Sequence, residues 1–111
     1  MVVIFWKNRI GVIQMTIDEF KINYCYEEGK LITKNEIIYL TFIENEIIKL
    51  LVDNYNKHVR TEKICLTLYK EQLDYCYTRT IATNIARVRK KLKGIVKINN
   101  RHGFGYNIII L

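Results

Sequence analysis

Between Thr80 and Leu92 the apolar residues Ile81, Ile85, Val88 and Leu92 recur at spacings of four and three. That spacing predicts a helix over 78–92 with one narrow apolar stripe. Its opposite arc carries Arg79, Thr80, Thr83, Asn84, Arg87 and Lys90. Such a helix is held to a core by one side and offers the other to a partner.

The rest of the chain can be read around it. Val2–Trp6 and Ile10–Gln14 resemble two short apolar strands split by Lys7-Asn8-Arg9. From Asp18, Phe20, Ile22 and Tyr24 alternate with Lys21, Asn23 and Cys25, the period of a strand. A turn at Glu27–Lys30 leads to strands over Leu31–Thr33 and Ile37–Leu40. Thr41-Phe-Ile-Glu44 fits a capping box, opening a helix that buries Ile43, Ile47, Leu50 and Leu51. A second helix begins near Thr61 and buries Ile64, Cys65 and Leu68, and a loop over 69–77 leads to the third. Gly94 stops that helix, and Ile95–Ile98, a turn over Asn99–Gly103 and Phe104–Ile110 read as a hairpin.

The order predicts an α+β fold. It is a winged helix-turn-helix with an N-terminal antiparallel sheet, three helices and a C-terminal β-hairpin wing. Residues 1–17 read as an apolar N-terminal extension of unknown role, and 18–111 as the winged-helix domain.

Charge sharpens this picture. The chain has 18 basic and 11 acidic residues, a net +7. Residues 1–56 hold six basic and eight acidic side chains, whereas 57–111 hold twelve basic side chains against Glu62, Glu71 and Asp74. No acid follows Asp74, but eight basic residues do. A segregated basic half is the electrostatic footprint of phosphate binding, and the third helix has the layout of a DNA recognition helix. The plainer reading is a solvated basic helix.

Composition limits the other classes. With 111 residues, half of them hydrophobic, the chain fits one domain with one core. The three cysteines, Cys25, Cys65 and Cys76, contain no C-x-x-C pair, which argues against a disulfide framework or a zinc site and for a reducing cytoplasm. No apolar run approaches the ~20 residues of a membrane span. There is no Gly-rich phosphate loop, and His58 and His102 sit in separate polar loops, so neither an enzyme nor a cofactor is expected.

Three segments carry a family resemblance. Leu40-Thr41-x-x-Glu44 with Ile48 and Leu51, then Arg79-Thr80-Ile81 with Ile85-x-Arg87-Val88-Arg89-Lys90-Lys91-Leu92, then Gly103-Phe104-Gly105-Tyr106, occur in order. Over residues 18 to 110 the chain resembles the C-terminal effector domain of OmpR/PhoB-type response regulators, the output part of bacterial two-component systems. The resemblance implies sequence-specific binding of double-stranded DNA, with the third helix in the major groove and the wing on the adjacent minor groove. It also implies head-to-tail pairs on direct repeats, and RNA polymerase contact through loop 69–77. Such domains normally follow a receiver domain, for which the chain has no room, so it reads as an isolated effector domain or a stand-alone regulator.

Departures from the family pattern bear on specificity. Ala82, Thr83, Asn84 and Ala86 stand where the family often has Asp, Val, His and a small or basic polar residue, so the operator should differ. His102 precedes Gly103 where an arginine is usual, and Arg101 lies one place earlier, where strand alternation can turn it to the other face.

The expected DNA contacts are Arg79, Thr80, Thr83, Asn84, Arg87, Lys90, Lys91, Arg101 and His102. Arg87 leads, for a phosphate or a guanine edge. Asn84 suits adenine, Thr80 and Thr83 suit thymine methyls or phosphates, and Arg79, Lys90 and Lys91 suit phosphates. Thr80 equally fits a helix cap. Arg89 falls nearer the buried side as an intramolecular partner, and Trp6 and Tyr106 read as core aromatics. Two other functions compete: a winged helix that docks a protein through its N-terminal segment, and a nucleic-acid binder without sequence preference.

Overall fold

The computed structural model describes residues 7–9, 12–14 and 16–111. The expected strand Val2–Trp6, and Trp6 itself, lie outside them. The first pairing is β1 (Lys7–Arg9) with β2 (Val12–Gln14), antiparallel, with Lys7 opposite Gln14. Lys7-Asn8-Arg9, expected to separate two strands, is therefore itself a strand.

The next segment corrects the sequence reading most clearly. Residues Ile17–Asn23 form a helix, α1, where alternation predicts a strand. Thr16 caps it, its hydroxyl accepting from the Glu19 N–H at 3.1 Å while the Glu19 carboxylate accepts from the Thr16 N–H at 3.2 Å. Asp18 and Glu19 also put negative charge at the positive end of the helix. Burial agrees with helical and not strand spacing: Phe20 and Asn23 are buried while Ile22 is exposed. The Thr16-x-x-Glu19 signature outweighs a short alternation. The described chain thus has four helices, not three.

Strands β3 (Tyr24–Cys25), β4 (Lys30–Ile32) and β5 (Ile37–Tyr39) form an antiparallel sheet in that order. Leu31 and Ile38 pair across β4 and β5 and point into the core, leaving Ile37 and Tyr39 exposed on the other face. Helix α2 (Phe42–Asp53) opens on the Thr41–Glu44 capping box and buries Ile47, Ile48, Leu51 and Val52. Ile43 and Leu50, expected in the buried face, pack half-buried against it.

Helix α3 (Thr61–Tyr69) buries Ile64 and Cys65 and closes at Lys70, whose backbone is left-handed. Helix α4 spans Tyr75–Lys91. It starts three residues before the expected position because Asp74 caps it, accepting from the Tyr77 N–H at 2.8 Å. The loop expected over 69–77 shrinks accordingly to residues 70–74. Thr80, weighed as a cap, lies inside the helix with its hydroxyl on the Cys76 carbonyl. The Tyr69 and Tyr77 rings, 4.7 Å apart, pack the first turn of α4 against the end of α3.

The hairpin joins β6 (Val96–Arg101) to β7 (Gly105–Ile110), with Arg101 opposite Gly105. Asn99, Asn100 and Arg101, expected in the turn, belong to β6, and the turn contracts to His102-Gly103-Phe104. Gly103, at φ +81°, supplies the left-handed residue that a three-residue hairpin loop requires. Val59, between α2 and α3, bridges Tyr106 through paired backbone hydrogen bonds of 2.7 and 2.9 Å. The wing is thereby fastened to the chain entering the helix-turn-helix. One core runs through α1, the sheet, α2–α4 and the hairpin, with Phe20, Ile48, Ile64, Ile85 and Ile108 buried within it.

Candidate nucleic-acid interface

Helix α4 has two unlike sides. Ile81, Ile85, Val88 and Leu92 are all 0% exposed, whereas Arg79, Thr80, Thr83, Arg87 and Lys90 are exposed. The apolar stripe fixes the helix on α2 and α3, and the helical repeat then aims the remaining side chains at solvent.

Arg79, Thr80, Thr83, Asn84 and Arg87 line one open concave surface together with Tyr75 and Cys76. The last two were hidden from the sequence reading by their placement in a loop; Asp74 as a helix cap was the signal for them. The Arg79 guanidinium sits 5.9 Å over the Tyr75 ring, a cation–π pairing at the entry of the helix.

Three expected contact residues stand differently from the rest. Asn84, expected on the exposed arc, is 8% exposed, and its amide donates to the Thr80 carbonyl at 2.9 Å. The cause is angular: it follows Ile81 by three positions and so leans toward the stripe. Lys91, expected free for phosphate, donates to Glu44 Oε1 at 2.6 Å and to the Tyr39 carbonyl at 3.1 Å. Arg101 stacks its guanidinium 3.9 Å over the Phe104 ring. Arg89, read as an intramolecular partner, donates from Nε to the Ile98 carbonyl at 3.0 Å, tying α4 to the wing.

A second polar surface lies under the wing tip. Arg101 and His102 line it together with Asn100 and with Arg60, Thr61 and Glu62 from the start of α3. Arg60 and Thr61 carried no sequence signal for this, since only the Val59–Tyr106 bridge brings them beside the wing.

The electrostatics favour an anion. Along α4 there is no acid after Asp74, and Arg89, Lys90 and Lys91 fall in its last turn. The buried Glu44 is compensated: burial alone raises its pKa, but the Lys91 ammonium and the Thr41 N–H hold the carboxyl below its ordinary value. Burial pushes the Cys65 thiol up, so it stays protonated and acts as core. The three cysteines are free, and among the described residues no His, Cys, Asp and Glu side chains cluster as a metal site. Among those residues no helix is long and apolar enough to cross a membrane.

Comparison with known proteins agrees with this geometry. The model of the family described as "Transcriptional regulatory protein, C terminal" matches residues 34–108, more than half of the chain. The C-terminal domain of the nisin resistance regulator NsrR, a lantibiotic response regulator, is 27% identical. It superposes with a TM-score of 0.61 over 73% of this chain and 84% of that one. The DNA-binding domain of Bacillus subtilis CssR is similar in fold, at 23% identity and a TM-score of 0.62 over 72% of this chain and 90% of that one. Among curated proteins none matches. The chain belongs to the family of transcriptional regulatory protein C-terminal domains and is a DNA-binding effector domain of the OmpR/PhoB type.

Proposed function

We propose that α4 lies in the major groove of double-stranded DNA and reads sequence there, with the β6–β7 wing against the adjacent minor groove and backbone. The observation that carries this is the division of α4 between a fully buried apolar stripe and an exposed Arg79, Thr80, Thr83, Arg87 and Lys90. Arg87 and Thr83, which line the concave surface, face base edges. Arg79 and Lys90 flank them and take phosphates. In the wing, His102 leads at the turn, and Arg101, braced on Phe104, meets the backbone together with Arg60.

Two such domains sit head to tail on a direct repeat, and the short loop 70–74 is the surface offered to RNA polymerase. A cytoplasmic setting fits the free cysteines and the ligand. Counterion release dominates affinity: neutralising about six phosphates gives a slope of log K against log salt of about −5.

Selection of genomic fragments by the purified protein at physiological salt, followed by sequencing, tests the reading. Enrichment of a motif with two half-sites about 10 base pairs apart is expected. Flat recovery despite salt-sensitive binding would make the domain a binder without sequence preference. No recovery at all would favour protein docking.

A further inference from the structure

We propose that Lys91 is a positioning residue for DNA binding rather than a phosphate contact: with Glu44 it clamps the end of α4 to α2 and to the sheet. This rests on the reading that α4 occupies the groove.

The Glu44 side chain is 1% exposed, and the Lys91 ammonium lies 2.6 Å from its Oε1. The same oxygen accepts from the Thr41 N–H at 2.9 Å, so one carboxylate both caps α2 and holds the last residue of α4. The ammonium also reaches the carbonyl of Tyr39, the last residue of β5. Three elements therefore meet at a single cation.

Turning Lys91 outward to a phosphate would leave a buried carboxylate without its counter-charge, which is strongly unfavourable. Lys90, its neighbour, projects from a different side of the helix. Both lysines are exposed along their length, Lys91 by 36% of its side chain, but the Lys91 ammonium is held by Glu44 and Tyr39.

The clamp holds the C-terminal end of α4, and the base-facing residues lie upstream of it. Thr83 is eight residues upstream of Lys91. At 1.5 Å per residue the lever is roughly 12 Å, so a tilt of about 5° would displace Thr83 by about 1 Å. Base recognition tolerates only about 0.5 Å. Loosening the clamp should therefore cost selectivity, while phosphate attraction, which is not angle-sensitive, survives.

The test is fluorescence anisotropy on two duplexes across a range of salt. One carries the sequence that the wild-type protein enriches, and the other is a scrambled duplex of equal length and composition. Lys91→Met, Glu44→Gln, the double variant and Lys91→Arg are compared with Arg87→Ala, each shown to be folded by its melting curve at the working temperature. Glu44→Gln keeps an amide able to cap α2, so it decides the matter if Lys91→Met does not fold.

Each single variant should lose about tenfold on the enriched duplex, with the double variant no worse than either. The scrambled duplex should be bound as before with the same salt slope, and Lys91→Arg should recover selectivity. The proposal is overturned if Lys91→Met lowers the salt slope by about one on both duplexes while Glu44→Gln binds normally, the signature of a phosphate anchor. It is overturned equally if both variants keep wild-type selectivity. An unchanged Arg87→Ala would instead sink the groove reading, whatever the clamp variants do.

Discussion

Gly105 lies against the backbone of Val59 so closely that a Cβ built on it would stand 2.1 Å from the Val59 carbonyl oxygen. Its φ of +108° is also one that side chains rarely adopt. This approach lets Val59 and Tyr106 exchange their two backbone hydrogen bonds, which dock the wing on the segment leading into α3. The Gly-Phe-Gly-Tyr motif is thus a docking device: Gly103 turns the hairpin, Gly105 admits Val59, and Tyr106 is buried behind them. Gly105→Ala should cost about 2–4 kcal/mol, from clash and backbone strain together. Urea unfolding measures it, and a loss below ~0.5 kcal/mol would mean that the wing is not held there.

Arg87→Ala should weaken binding to the selected sequence by about 1–3 kcal/mol and relax the preference at one position. Lys90→Ala should instead weaken binding to every duplex and reduce the salt slope by about 0.9. Titrations at several salt concentrations separate the two. If the variants behaved alike, the division of α4 into base-facing and phosphate-facing residues would be wrong.

Asn84 is expected to act within the helix. With its amide on the Thr80 carbonyl and the residue largely buried, pairing with adenine would require the side chain to swing out of place. Asn84→Ala should leave the enriched motif unchanged and alter stability by about 1 kcal/mol. A motif that loses one adenine in the selected pool of the variant would restore Asn84 as a reader.

Acid should weaken the fold through Glu44. The folded-state pKa of its carboxyl is depressed, because the Lys91 and Thr41 hydrogen bonds outweigh the burial that raises it. The pair's contribution is therefore fully present above the ordinary carboxylate pKa. It is lost as pH falls through the lowered folded value. Glu44→Gln should lower stability at neutral pH by about 1–3 kcal/mol and flatten the pH dependence on the acid side. Melting curves from about pH 6 down to pH 3 provide the check. Parallel curves for the two proteins would show that Glu44 is not a titrating contributor.

Much of this protein was legible from local pattern. The stripe Ile81, Ile85, Val88 and Leu92, the Thr41–Glu44 box and the turn glycine Gly103 of the wing all act within a few residues of themselves. Sequence therefore determined the helix-turn-helix, the hairpin and the outward face of Arg79, Thr83 and Arg87. The missed helix α1 was also written locally, in Thr16 and Glu19. There a short alternation of apolar residues competed with the cap, and the deeper burial of Asn23 than of Ile22 shows that the helix prevailed.

What only the tertiary structure decided is which group each inward-reaching cation bonds. Lys90 and Lys91 look equivalent along the chain, and Arg89 reads as an intramolecular partner of no particular residue, but the groups that Arg89 and Lys91 bond lie 9 to 52 positions away. Arg89 bonds Ile98 and Lys91 bonds Glu44 and Tyr39, while Arg87 and Lys90 remain on the outer face. A buried carboxylate draws in whichever cation the packing of α2 against α4 brings beside it, and no local spacing encodes that packing.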